Sequence, residues 1–553
     1  MSRIVKELPA PSAGEFPLHS PRDIPPNGAM LLRNLRIDDG RARPTEPFSV
    51  LAAVPNNGGA PPTYNTSPIL DFFNLQFFDG SVETIECTNA AGFAADYLSS
   101  IQRMLNGAWS GVALDNTFGS LANSRYSAVI APVTAAPAEP KGRMFITNRI
   151  KIKWWRGGTG AGAIVTDHAG GAYPALQLLV TPDNRLFEIN TVEGGSPYPM
   201  RVRWSVVGNA LDFTGIGSGA MDLTYDSWPL TAIWNQAGRI FVGKERSIAI
   251  LVPTGIATDA YGREVVNRGE GVFIPFSLVQ HGSLAAFISH RDVVLFDGNN
   301  FQSIGGPVRR ELFKRINYSA LSQVTAIVDG ARNRVGWGLP LDGASYPTEV
   351  WWVNVETGAW EKDSLPHTAI SFYSNVDTTS VDELAGTVNA LAGTVDALSL
   401  VSNPEAKIIV GCYDGKSWAQ DLNGTGMVLY GDYISSALTA VGETIQVAGR
   451  PHIVTDRDFM LLDEVHVVFE DYGQSYTAQV KCSADNGKSW TDVGTATVNT
   501  VGGTYLAPVQ RDVVLTCRIP VGNQANIRIS SSQRWGFARL YAKFDVSGET
   551  KQP

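Results

Sequence analysis

From about Met144 onward the apolar residues fall in short alternating runs, interrupted by turn residues every dozen or so positions. That alternation is the signature of successive antiparallel hairpins. The segments 175–189 around Pro182-Asp183-Asn184, 239–252 around Lys244-Glu245-Arg246 and 284–296 around His290-Arg291-Asp292 each read as strand, turn, strand. One turn recurs: Asp297-Gly298 before Phe301, Thr357-Gly358 before Trp360, Asp414-Gly415 before Trp418 and Asn486-Gly487 before Trp490. A tight turn needs a residue that tolerates positive φ, and an aromatic shortly after it folds back over the hairpin. The glycines recur at roughly 60 to 70 residues, longer than the usual 40 to 50 of a propeller blade but within reach of blades with long loops. The expected fold is mainly β: a β-propeller-like body with a short helical insert and a C-terminal β domain. A stack of sandwich domains sharing one turn chemistry is the alternative.

Two stretches break the period of two. Over 94–106, Tyr97, Leu98, Ile101 and Met104 share a helical face and Gly107 follows as a stop, which predicts a helix. Over 376–403, Ser380-Val381-Asp382-Glu383 forms a capping box, and Leu384, Val388, Leu391, Val395 and Leu398 then recur at heptad spacing. The second stretch reads as a helical insert whose apolar seam is a candidate interaction element. Residues 1–60, rich in Pro, Gly and Asn, read as an N-terminal arm with a lead-in strand. Residues 61–440 are expected to form the body, and 441–553 a sandwich-like β domain.

Composition sharpens this picture. Gly (55) and Pro (31) disfavour long helices, and 13 Trp, 17 Tyr and 23 Phe suit pleated surfaces. The net charge of −9, with no run of Lys and Arg, excludes a broadly basic nucleic-acid binder. No apolar stretch is long enough to span a bilayer, and the N-terminus lacks the apolar core of a signal peptide. Cys87, Cys412, Cys482 and Cys517 lack metal-type spacing and read as thiols, although Cys482 and Cys517 can face each other on neighbouring strands.

Candidate chemistry is sparse. Ser483, Asp485, Gly487 and Trp490 match the Asp-box pattern Ser-x-Asp-x-Gly-x-Ser-Trp at every defined position. Here the carboxylate accepts turn N–H groups, the glycine takes the special φ and the indole packs beneath, so the expected role is structural. The glycine-rich runs 158–163 and 215–220 are not followed by a helix start that would offer N–H groups to a phosphate. The seven histidines never fall at metal-ligand spacing, and no nucleophile elbow occurs. The expectation is no catalytic residues, no cofactor, no metal and no enzymatic activity.

Three segments carry a family resemblance. Asn34-Leu35-Arg36-Ile37-Asp38-Asp39-Gly40-Arg41-Ala42-Arg43-Pro44 resembles the N-terminal phrase of phage tail hub and nozzle proteins. Arg203-Trp204-Ser205 with Gly208 and Leu211-Asp212-Phe213 is similar to their Trp-Ser, Gly, Asp-Phe segment. The run from Phe287-Ile288-Ser289 through Asp297-Gly298 and Ile304-Gly305 to Val308-Arg309-Arg310-Glu311-Leu312-Phe313 resembles one of their blades. The resemblance spans about residues 30 to 440. It implies a structural virion protein of a short-tailed phage, made in the host cytoplasm. Six copies would form a ring below the portal and adaptor proteins, contact tail fibre or plug proteins, and let double-stranded DNA pass. The Asp box by itself resembles those of sialidases and other glycan-processing propellers, which implies the rival reading of a glycan-binding or glycan-cleaving protein.

Overall fold

The computed structural model describes residues between 2 and 547; 52–67, 89–100, 110–124, 134–141, 157–165, 375–405, 421–426, 501–507 and 548–553, with shorter stretches and single positions elsewhere, lie outside the described residues. Among the described residues, six separate four-stranded sheets, and a seventh formed by the first four strands of a ten-stranded sheet, make up a propeller of seven blades.

Blade 1 is Ile69–Gln76, Val82–Thr88, Ile101–Leu105 and Ala108–Trp109. Blade 2 is Ser127–Ala131, Arg143–Thr147, Ile152–Trp155 and Thr166–Asp167. Blade 3 is Gln177–Val180, Leu186–Glu193, Ser196–Trp204 and Gly219–Asp222. Blade 4 is Leu230–Gln236, Arg239–Lys244, Ser247–Ile256 and Asp259–Arg268. Blade 5 is Val279–His281, Leu284–Ile288, Val293–Phe296 and Phe301–Ser303. Blade 6 is Thr325–Asp329, Arg334–Leu339, Glu349–Asn354 and Trp360–Asp363. Blade 7 is Ala369–Ser374, Ala406–Gly411 and Ser417–Gln420, completed by Phe48–Val50 from near the N-terminus.

Successive side chains on a strand point to opposite faces, and each middle strand is covered on both faces by neighbouring blades. The apolar residues therefore divide between two seams. Met144, Ile146 and Trp155 of blade 2 pack on Ile85 of blade 1, whereas Phe145 and Ile152 pack on Leu178 and Leu186 of blade 3. Val202 and Trp204 of blade 3 meet Val242 and Leu251 of blade 4, whose Trp234 and Phe241 meet Phe287 and Phe296 of blade 5. Ile288 and Leu295 of blade 5 pack on Trp337 and Trp351 of blade 6, and the next residue, Trp352, packs on Ile370 and Val410 of blade 7. Ile409 of blade 7 with Ile69 and Phe72 of blade 1 closes the ring.

The recurring turn glycines all have positive φ: Gly298 at 98°, Gly358 at 71°, Gly415 at 77° and Gly487 at 81°. Gly298 and Gly358 turn the third strand into the fourth in blades 5 and 6. Gly415 instead joins the second and third strands of blade 7, because that blade takes its fourth strand from the N-terminal segment.

Both chain ends build a sandwich beside blade 6. One sheet pairs Ser2–Pro9 with Phe537–Ser547 over eight positions and continues through Phe459–Asp471 to Val509–Gly522, with Leu35–Asp38 and Arg41–Pro44 on its other side. The other runs from Gly28–Arg33 through Asp432–Ser435 and Asn526–Ser530 to Tyr476–Ser483 and Thr491–Val498. Leu32, Val465, Val467, Ile527, Ile529, Trp535 and Phe544 lie in its core. Gly28–Arg33 also pairs in parallel with the outer strand of blade 6 at Arg33 and Lys362, so one ten-stranded sheet runs from the propeller into the sandwich.

The expected helix over 94–106 is corrected: Ile101–Leu105 is the third strand of blade 1, with Cys87 opposite Ile101 and Ile85 opposite Arg103. An apolar spacing short enough to fit both periods was decided by strand pairing, which supplies more backbone partners than an isolated helix. The heptad seam Leu384, Val388, Leu391, Val395 and Leu398 lies outside the described residues; the chain enters that stretch after Ser374 and leaves it before Ala406, which are opposite each other in blade 7. Among the described residues the single α-helix is Arg309–Arg315, between blades 5 and 6.

Candidate functional site

In a four-stranded antiparallel blade the link to the next blade and the turn between strands two and three fall at the same face, where the innermost strands begin, here termed the upper face. A chamber of about 380 Å³ sits on the propeller axis in its upper half. Its wall comes from the inner strands of blades 1, 2, 6 and 7, with Gln177 of blade 3 and the segment leading into blade 5.

Arg125, just ahead of blade 2, is buried and spans the axis. Its guanidinium donates to the carbonyl oxygens of Leu70 at blade 1, of Thr368 at blade 7 (2.9 Å) and of Val324 at blade 6 (3.2 Å), and lies 6.0 Å from the Phe276 ring. Charge-assisted bonds to three blade starts fix their relative positions. The Asp71 carboxyl lies 3.5 Å from Arg125 Nε and accepts the Tyr126 N–H at 2.7 Å. Burial nonetheless pushes Asp71 up to about 6, outweighing the pull of Arg125. A carboxyl titrating near neutrality inside a cleft can accept or deliver a proton or hold a polar ligand. Asp71 is the sole carboxyl on the chamber wall among the described residues; Phe73, Phe276, Phe372 and Leu278 share the rest with the polar Ser127, Gln177, Thr325 and Ser371.

Beside the chamber, His367 is held neutral. Its Nε2 is 2.8 Å from Thr325 Oγ1 and its Nδ1 is 2.7 Å from the Leu365 carbonyl, and burial lowers it to about 4. Glu86 of blade 1 accepts the Ser417 hydroxyl of blade 7 at 2.9 Å and is pushed up to about 8 by burial. Glu188 of blade 3 is likewise raised to about 8 by burial, against the Tyr173 N–H at 3.2 Å.

The Asp-box residues lie in the sandwich, on the hairpin between Tyr476–Ser483 and Thr491–Val498. Ser483 Oγ accepts the Gly487 N–H at 2.8 Å, and Asp485 accepts the Ser489 N–H at 2.8 Å and its hydroxyl at 2.5 Å. These bonds lower Asp485 to about 2. Trp490 is half-buried, with its ring 3.5 Å from the Cβ position of Gly487 and 6.0 Å from the Arg528 guanidinium. The structure brings Ser483, Asp485, Gly487 and Trp490 together on one turn, away from the propeller axis. Sequence reasoning misses Asp71 and Arg125, because a lone acid and a lone arginine 54 residues apart carry no spacing signal until the ring closes.

Among the described residues no group of three His, Cys, Asp or Glu side chains stands together as a metal site, and no helix is long and apolar enough to cross a membrane. No family model and no curated protein matches the chain. Among solved structures it is similar to virginiamycin B lyase from Staphylococcus aureus (8% identity, 65% of this chain and 95% of that one, TM-score 0.37). It is also similar to an exo-β-1,3-galactanase from Phanerochaete chrysosporium (11% identity, 90% and 100%, TM-score 0.25) and an α-L-arabinanase from Penicillium chrysogenum (9%, 68% and 97%, TM-score 0.31). The likeness is one of fold alone. It does correct the expectation that the chain is not an enzyme: these similar structures are a lyase and two glycosidases, so the lack of a catalytic motif in the sequence excludes nothing. Loops of several blades converge on a propeller's face, and a site built that way leaves no local pattern.

Proposed function

We propose that the protein is a subunit of the tail nozzle or hub of a short-tailed phage, acting in the virion as part of a ring around the path of the genome. The observation that carries this reading is where the three family-like segments fall. Asn34–Pro44 is the joint between blade 6 and the sandwich: the Asn34 side chain accepts the Ser364 N–H at 2.6 Å, and Glu361 accepts the Ile37 N–H at 2.6 Å. In the second segment, Trp204 Nε1 donates to Gly217 at 3.2 Å, and Asp212 accepts the Thr214 and Gly215 N–H groups at 2.9 and 2.8 Å. The third forms most of blade 5 and the helix Arg309–Arg315 leading to blade 6. All three are joints of the architecture, as a resemblance between structural subunits requires. With Arg125 across a chamber of about 380 Å³, the propeller axis is too narrow for a duplex, so the genome path lies between copies. Mass measurement of the purified protein alone and with its portal complex tests the reading. A portal-bound ring supports it; a monomer that ignores the portal overturns it.

A second reading, a glycan-binding or glycan-cleaving propeller, is favoured by the axial chamber and its Asp71 carboxyl. One carboxyl on the described wall suits binding better than two-carboxylate hydrolysis. Glycan binding or turnover that Asp71→Asn abolishes supports it, and an unchanged Asp71→Asn variant rejects the chamber as its site.

A further inference from the structure

Arginines seated on aromatic rings recur through the propeller, and several carry a counter-ion. Arg201 on Tyr198 pairs with Asp222 at 2.8 Å and Glu193 at 3.0 Å; Arg334 on Trp352 pairs with Asp329 at 2.9 Å and Glu361 at 3.2 Å. Blade 4 differs. Arg246 lies 4.5 Å from the Trp228 ring, and Arg263 and Arg268 lie 5.5 and 6.0 Å from the Tyr225 ring. None of the three closes an ion pair among the described residues, although Arg246 acts on the Glu245 carboxyl beside it and Arg263 donates to the Asp222 carbonyl at 3.5 Å. Arg263 and Arg268 are exposed, and Arg246 Nε is buried with no hydrogen-bond partner. Asp226, next in sequence to the Tyr225 seat, is already taken by Lys244, by the Ser247 hydroxyl at 2.5 Å and by the Trp228 N–H at 3.2 Å.

A ring seat holds a guanidinium in one plane at little further entropic cost and leaves its N–H edge free to grip an oxyanion with two bonds. Three such edges, none of them closed into an ion pair, lie around the strand Asp259–Arg268 and the turn at Arg246. Glu245 and Glu264 interrupt the positive field. They disfavour a duplex, which carries one charge per roughly 1.7 Å, but leave room for a polymer with the sparser charge of one carboxylate per sugar unit. We propose that Arg246, Arg263 and Arg268 form a binding site for a carboxylated polysaccharide on blade 4. This site is separate from the axial chamber and stands whether or not the chamber binds a glycan.

The test uses the full chain and polygalacturonate as probe, with dextran and duplex DNA as controls, at low salt. Saturable binding to polygalacturonate is expected, with none to dextran and weaker binding to DNA. At roughly tenfold for each charge-assisted hydrogen-bonding group removed, Arg263→Gln and Arg268→Gln should each weaken binding about tenfold, and the triple variant with Arg246→Gln by about 1,000-fold. The Lys versions should bind between wild type and the Gln versions, since they keep charge but not the fork. Asp71→Asn should bind as wild type. If the triple variant fails to fold, the two exposed single variants decide. Wild-type affinity in those variants, no binding to polygalacturonate, or tighter binding to DNA that the same substitutions abolish, each overturns the proposal.

Discussion

The seams between blades and the joint between blade 6 and the sandwich are both buried, yet they are built from opposite materials. Trp155, Phe187, Trp234, Trp337, Trp351 and Trp352 fill the seams, where burial is non-directional and tolerates small changes of shape. At the joint the whole outer strand of blade 6, Trp360–Asp363, is buried, so Glu361, Lys362 and Asp363 sit out of water in succession. Lys362 lies 2.5 Å from Glu15 and 3.6 Å from Glu311; Arg334 bridges Asp329 and Glu361; Asp363 accepts Thr45 at 2.6 Å and Trp352 Nε1 at 3.0 Å; Arg36 and Arg332 share Glu46. Burial still pushes Glu15 up to about 7 against the pull of Lys362. Buried ion pairs add little net stability, but their directionality fixes one arrangement. The propeller is thus held by area and the sandwich is oriented by charge.

The contrast is broken most severely by removing one member of the joint. Lys362→Met leaves Glu15 and Glu311 facing each other and should cost about 3 to 5 kcal/mol, read as loss of denaturant stability. An equal loss in a Lys362→Met, Glu15→Gln double variant would show that packing rather than charge matters there.

Next in size is a charged intrusion into a seam. Glu86 lies between blades 1 and 7 with its carboxyl raised from 4.5 to about 8. The folded state keeps a proton that the unfolded chain releases, so this group lowers stability progressively as pH rises from about 4.5 to about 8 and changes nothing further above that. Glu86→Gln, which can still accept the Ser417 hydroxyl, should flatten that slope in thermal melts across the window. A slope equally steep in the variant would assign it to Glu188 and the other raised acids.

Smaller again is a trimmed methyl group in an apolar seam: Ile146→Val should cost about 0.5 to 1.5 kcal/mol, well below the joint variant, by chemical denaturation. The smallest effect belongs to the sandwich hairpin. Asp485 is lowered to about 2, so its contribution is present above the ordinary carboxylate range and is lost as pH falls from about 4 to about 2. Asp485→Asn should be less stable than wild type at pH 4 and above, with the difference shrinking away as pH falls to about 2, in thermal melts across that window.

Much of the fold was legible in local pattern. The hairpins around Asp183, Glu245 and Arg291 and the positive-φ glycines at 298, 358, 415 and 487 follow from alternation and turn chemistry. What escaped depends on distant partners. Nothing local marks Glu361, Lys362 and Asp363 as interior; they are buried because Gly28–Arg33 covers them. Residues 94–106 offered a helical face, and pairing with Val82–Thr88 overrode it at Ile101–Leu105. The chamber was invisible for the same reason: Asp71 and Arg125 acquire meaning only when blades 1, 2, 6 and 7 meet.

The fourth strand of blade 7 has a consequence for the order of events during synthesis. Phe48–Val50 leaves the ribosome early, and its partner Ser417–Gln420 is translated about 370 residues later. At roughly 5 to 20 residues per second that gap is on the order of 20 to 75 seconds. Throughout it the nascent propeller lacks its completed seventh blade, and an arc of blades that pack face to face has an uncovered sheet face at each end. Sealing of the ring therefore waits on translation through the seventh blade, whose last strand was made among the first.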